Sequence, residues 1–81
     1  MTTEREFQDQ VVSFRRRMGE ADWTGEQRRN GFKMLALSYL RLDEPTVEMA
    51  ELFKVTTNEY VRRMFLMGLT PRGEALSAVG T

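Results

Sequence analysis

The chain has no cysteine and no histidine among its 81 residues. The missing thiols exclude a disulfide framework and thiolate zinc ligation. With imidazole missing as well, Ser-His and Cys-His dyads, the histidine proton shuttle and zinc sites of the usual N/S type are all removed. No uninterrupted apolar run reaches about 18 residues, so no membrane-spanning helix is expected. The opening MTTEREFQDQ lacks the apolar core of a signal peptide, and the expected location is the cytoplasm. Net charge is absent too. Twelve basic residues balance twelve acidic ones and the pI is about 6.3, whereas many nucleic-acid modules are basic overall. A phosphate-binding GxxxxGK[ST] loop is also missing: Gly68 and Gly73 have the right separation, but Glu74 follows where lysine is needed. Carboxylates alone could serve as acid and base, yet Asp43 and Glu44 fall at a helix end with no apolar pocket to raise a pKa. The expectation is therefore a protein that is not an enzyme and uses no cofactor or metal.

What is present is ordinary for a soluble domain: 41% hydrophobic and 30% charged residues, enough for one small domain over residues 1–81 but with a core worth only a few kcal/mol net. Oligomerisation would help such a chain. The charges are unevenly placed. Residues 42–53 hold Asp43, Glu44, Glu48 and Glu51 with no Lys or Arg, while residues 54–72 hold Lys54, Arg62, Arg63 and Arg72 against Glu59. A local positive face is possible, because phosphate attraction acts over roughly a Debye length of 8 to 10 Å.

The pattern is all-α, with four to five short helices expected. Thr3-Glu4-Arg5-Glu6 fits a capping box. After it Phe7, Val11, Phe14 and Met18 form one stripe, and Gly19 suits a helix end. That seam serves either the domain's own core or a homodimer interface. Thr24 to Gln27 is a second capping box, opening a helix to about Arg41 that is apolar nearly all round and so reads as the central one. Trp23 precedes it as a staple or a lid on the core edge, and Gly31 inside it fits a close helix crossing. Pro45 stops this helix. Thr46 then caps a short helix with Val47, Ala50 and Phe53 to one side, Lys54-Val55 makes a turn, and Thr56 to Glu59 offers a third capping box. The helix that follows, with Val61, Met64 and Phe65 as its core face, ends at Gly68.

Two helices and a turn over residues 46–67 are the arrangement of a helix-turn-helix. The second helix carries Thr57, Asn58, Arg62 and Arg63, and Asn can pair with adenine and Arg with guanine in the major groove. Residues 46–69 resemble the helix-turn-helix superfamily, particularly its winged-helix and excisionase or MerR-like variants, through the small Ala50 in the helix before the turn, Val55 in the turn, Val61-Arg62, and Gly68-Leu69 after the helix. Lys54 stands where those families usually have Gly, and Val55 to Arg62 is one residue longer than the MerR pattern. Beyond Gly68 two readings stand. A minimal β-wing would put Arg72 at its tip, while a terminal helix would begin with Thr70 as N-cap and Pro71 at N1.

The resemblance implies a sequence-specific regulator or architectural factor that binds double-stranded DNA as a homodimer, from a phage or other mobile element, with Thr57, Asn58, Arg62, Arg63 and Arg72 as contacts. The alternative is a small inhibitor or antiactivator, anti-CRISPR-like, that binds a host regulatory protein through its acidic, Arg and Met surfaces. Zero net charge favours the second.

Overall fold

The computed structural model describes residues 1–69, which form three α-helices: α1 (Glu4–Met18), α2 (Gly25–Leu40) and α3 (Val47–Leu66). Each start is held by a threonine. Thr3 Oγ1 accepts from the Glu6 N–H, Thr24 Oγ1 from Gln27 and Thr46 Oγ1 from Met49, all at 3.1 Å. At Thr24 the box is complete, because the Thr24 N–H also donates to Gln27 Oε1 at 2.9 Å. At Thr3 the hydroxyl instead donates to the Glu6 carboxylate, so that box is only half formed.

α3 ends in a Schellman motif. Gly68 takes φ 75°, its N–H donates to the Phe65 carbonyl at 3.0 Å, and the Leu69 N–H reaches back to Met64 at 2.7 Å. The N-terminus is pinned between the last two helices: the Thr2 N–H donates to Arg41 O at 2.8 Å, and the Asp43 N–H to Thr2 O at 3.0 Å, a single parallel bridge.

Three expectations need correction. First, the described residues hold three helices, not four to five, because the helix-turn-helix expected at 46–67 is one continuous α3. Thr56 and Thr57 do not cap a new helix. Their hydroxyls donate to the carbonyls of Leu52 and Phe53, each at 2.7 Å, the back-bond that lets threonine stay inside a helix. No Pro or Gly interrupts residues 47–66, and Met49, Phe53, Thr56, Tyr60 and Met64 make one unbroken inward stripe. Val61 and Phe65, expected in the core, are exposed.

Second, the Phe7, Val11, Phe14 and Met18 seam is spent on the protein's own core. These side chains are 0 to 6% exposed within a single chain, which leaves no surface for a dimer contact there. Third, α2 is not central. Met34, Leu37 and Leu40 face solvent, and α1 with its four buried side chains lies against both other helices.

A ladder of rings joins α2 to α3. Tyr39 stacks on Phe53 (centroids 4.5 Å), Phe53 lies 5.8 Å from Phe32, and Phe32 stacks on Tyr60 at 4.3 Å. Two rings seven apart on each helix alternate in the stack, so the ladder needs Phe53 and Tyr60 on one helical face. Burial pushes the Tyr60 phenol above its ordinary value, against an opposing pull from Arg29.

Where α1 ends, the ordering group is Arg28, 3% exposed. Its guanidinium donates to the carbonyls of Met18 (3.1 Å), Glu20 (2.7 Å) and Trp23, and to Met67 Sδ at 3.1 Å. It thereby ties the end of α1, the 20–23 loop and the end of α3 to α2. Gly31 accommodates Trp23 and not a helix backbone: a Cβ there would lie 2.8 Å from the indole Cη2.

Candidate functional site

With the apolar stripes of α1 and α3 turned inward, the chemistry left on the surface gathers on the outer side of α3. Asn58 and Arg62, one turn apart, share an exposed flank. Thr57 does not join them. It is half-buried and its hydroxyl is committed to the Phe53 carbonyl. Arg63 meets Arg62 at a shallow groove between α1 and α3 that Arg15, Glu59 and Leu66 also line. Arg72 and the wing lie outside the described residues.

In this groove Glu59 does not form the helix pair with Arg63 that its i,i+4 spacing invites. It is taken by α1: Arg15 Nε and Nη2 donate to its two carboxylate oxygens at 2.9 and 2.6 Å. The fork is bidentate, but both side chains are more than 40% exposed, so its worth is at most about 1 kcal/mol. Its effect on charge is larger than its effect on stability. Glu59 is neutralised by Arg15, and Arg62 and Arg63 enter no ion pair among the described residues.

The three consecutive arginines of α1 divide as helical geometry demands. Arg15 turns to α3, while Arg17 bonds Glu20 at 3.2 Å and lies 5.1 Å over the Trp23 ring. Arg16 is left exposed between them.

Beside these two arginines lie apolar side chains that no other described residue covers. Phe65 is 69% exposed, Leu66 73% and Val61 45%. Val61 and Phe65, four apart, form a ridge, with Arg62 between it and Leu66. Scattered apolar residues need no explanation, but three large ones within six positions on one helix end make a patch. Sequence reasoning placed Val61 and Phe65 inside because it phased the last turns from a false helix start at Thr56. Counting the phase from Met49 would have put both outside.

The described residues contain no group of three or more acidic, His or Cys side chains able to hold a metal, and no helix among them is long and apolar enough to cross a membrane. No protein family, no curated protein and no solved structure matches the chain.

Proposed function

We propose that the chain is a non-catalytic protein-binding module, a small inhibitor or antiactivator. It would engage a regulatory protein through the C-terminal half of α3. The observation that carries this reading is the exposed patch of Val61, Phe65 and Leu66, set beside two arginines that have no acidic partner among the described residues. Aromatic and Arg side chains together are the composition of an interface hot spot, in which the apolar group fills a pocket and the guanidinium anchors its rim. The matching partner presents carboxylates around an apolar depression.

A DNA-binding reading keeps one specific support, the shared exposed flank of Asn58 and Arg62. Against it, the side chains that would border a groove contact include Phe65 and Leu66, which gain nothing from phosphates. The molecule as a whole also offers no net positive charge to attract DNA.

The two readings part in one experiment. Capture of a defined protein from host lysate by the wild-type chain should be lost in both Phe65→Asp and Arg62→Glu, with the helical circular dichroism of each variant unchanged. Duplex DNA should bind at most weakly at physiological salt. Tight, sequence-dependent duplex binding that survives Phe65→Asp but not Arg62→Ala would replace the protein partner with DNA.

A further inference from the structure

The groove between α1 and α3 holds more positive charge than its own acidic groups compensate. Arg15, Arg62 and Arg63 line it together with one carboxylate, Glu59, around a space of about 290 Å³. Because Arg15 Nε and Nη2 hold both oxygens of Glu59, at 2.9 and 2.6 Å, that carboxylate is spent on α1. The two charges left over are those of Arg62 and Arg63, both exposed and in no ion pair among the described residues. The end of α1 does not answer them either, since the Arg16, Arg17 and Met18 carbonyls already accept from Gly19, Glu20 and Arg28. Leu66 lines the same groove and belongs to the apolar patch.

We propose that this groove binds a phosphate monoester dianion, presented on a phosphorylated side chain of the partner that covers the α3 patch. The occupant rests on that partner reading; the anion chemistry does not. A carboxylate carries one charge and would leave one guanidinium uncompensated, whereas a phosphate monoester carries about −1.5 to −2 at pH 7 and matches the pair. Its three acceptor oxygens also suit two guanidinium forks, each donating through parallel N–H groups. A DNA backbone phosphate is a diester with a single charge, so the same count disfavours it. Leu66 gives the phosphorylated residue an apolar neighbour to meet, which makes groove and patch one continuous surface. Because the site is shallow and wet, the isolated group binds weakly, with a Kd on the order of 1 mM at low salt.

Phenyl phosphate is the probe, titrated into the isotope-labelled chain and followed by the Nε–H signals of the arginines. Arg62 and Arg63 should shift saturably, while the exposed Arg5 and Arg41, which do not line the groove, should not. Methyl phenyl phosphate, the diester monoanion, should bind at least about threefold more weakly, and Arg62→Gln and Arg63→Gln should each weaken phenyl phosphate binding as much. Both substitutions exchange exposed side chains, so helical circular dichroism should be unchanged. The charged groups facing the groove are Arg15 from α1 and Glu59, Arg62 and Arg63 from α3, and the chain has no histidine. Binding should therefore follow the ligand's own second ionisation and strengthen as pH rises through about 6. The occupant is tested by phosphatase treatment of host lysate before capture, which should abolish recovery of the partner.

Equal affinity for the diester, affinity that does not change with pH, undiminished binding in both arginine variants, or equal shifts at Arg5 and Arg41 overturns the anion site. Capture that withstands phosphatase overturns its occupant. The titrations contain no partner, so their failure leaves Phe65-dependent capture standing. If instead no protein is captured at all, the partner reading falls and the occupant with it, while the phenyl phosphate result stands by itself.

Discussion

Arg28 holds a buried positive charge with no carboxylate bonded to it among the described residues; three backbone carbonyls take its protons instead. Two of them, on Met18 and Glu20, belong to the end of α1 and the turn after it, where orphan acceptors and the negative end of the helix dipole both favour a cation. The guanidinium is the side chain that can reach all three at once. Replacing Arg28 with Met would leave those acceptors short of donors in a mostly dry site, at an expected cost on the order of 2 to 4 kcal/mol in urea unfolding. Arg28→Lys should recover only a minor part, since one ammonium cannot span three carbonyls on different segments. Nothing in the stretch Glu26-Gln27-Arg28-Arg29 distinguishes this arginine from its neighbour: its importance comes from where α1 ends in space.

At the scale of the element, the continuity of α3 makes a prediction that a helix-turn-helix reverses. If Thr56 were the N-cap of a separate recognition helix, position 57 would be N1, where proline is well tolerated and its effect on the preceding residue suits a cap. In a continuous α3 the same proline removes an i to i−4 hydrogen bond and the Thr57 hydroxyl bond to Phe53, and its ring clashes with the preceding turn. Thr57→Pro should therefore cost about 3 kcal/mol or more and lower Tm by more than about 10 °C. Wild-type stability in this variant would restore the turn. The phase of α3 is also what puts Phe65 and Val61 outside, so the proposed partner surface rests on the same continuity.

For the molecule as a whole, the α1 stripe supplies the core and has no surface to spare. Phe14 is 6% exposed and touches Trp23, Phe32 and Tyr60 at ring-centroid distances of 5.7 to 6.1 Å. Phe14→Asp should thus unfold the monomer, seen as loss of helical circular dichroism, rather than dissociate a folded dimer. Because Phe65 lies on the outer face of α3, away from that core, it can be changed without the same penalty, which is what makes the proposed partner surface testable on folded protein.

The sequence by itself determined the features that depend on neighbours four or fewer residues away. Thr3, Thr24 and Thr46 do start the helices, Gly19 and Gly68 do close α1 and α3, and the α1 stripe was visible because one helix face repeats along the chain. All-α character followed from these local signals. Only the tertiary structure decided the rest, because there the local chemistry permits two answers. Thr56-Thr57-Asn58-Glu59 can cap a helix or continue one, and the choice agrees with a ring ladder that needs Phe53 and Tyr60 on one face. Glu59 can pair with Arg63 or with Arg15, and the approach of α1 selects Arg15. An all-round apolar α2 can be central or can carry an exposed face; with three helices in place of four to five, no further helix is present among the described residues to cover Met34, Leu37 and Leu40.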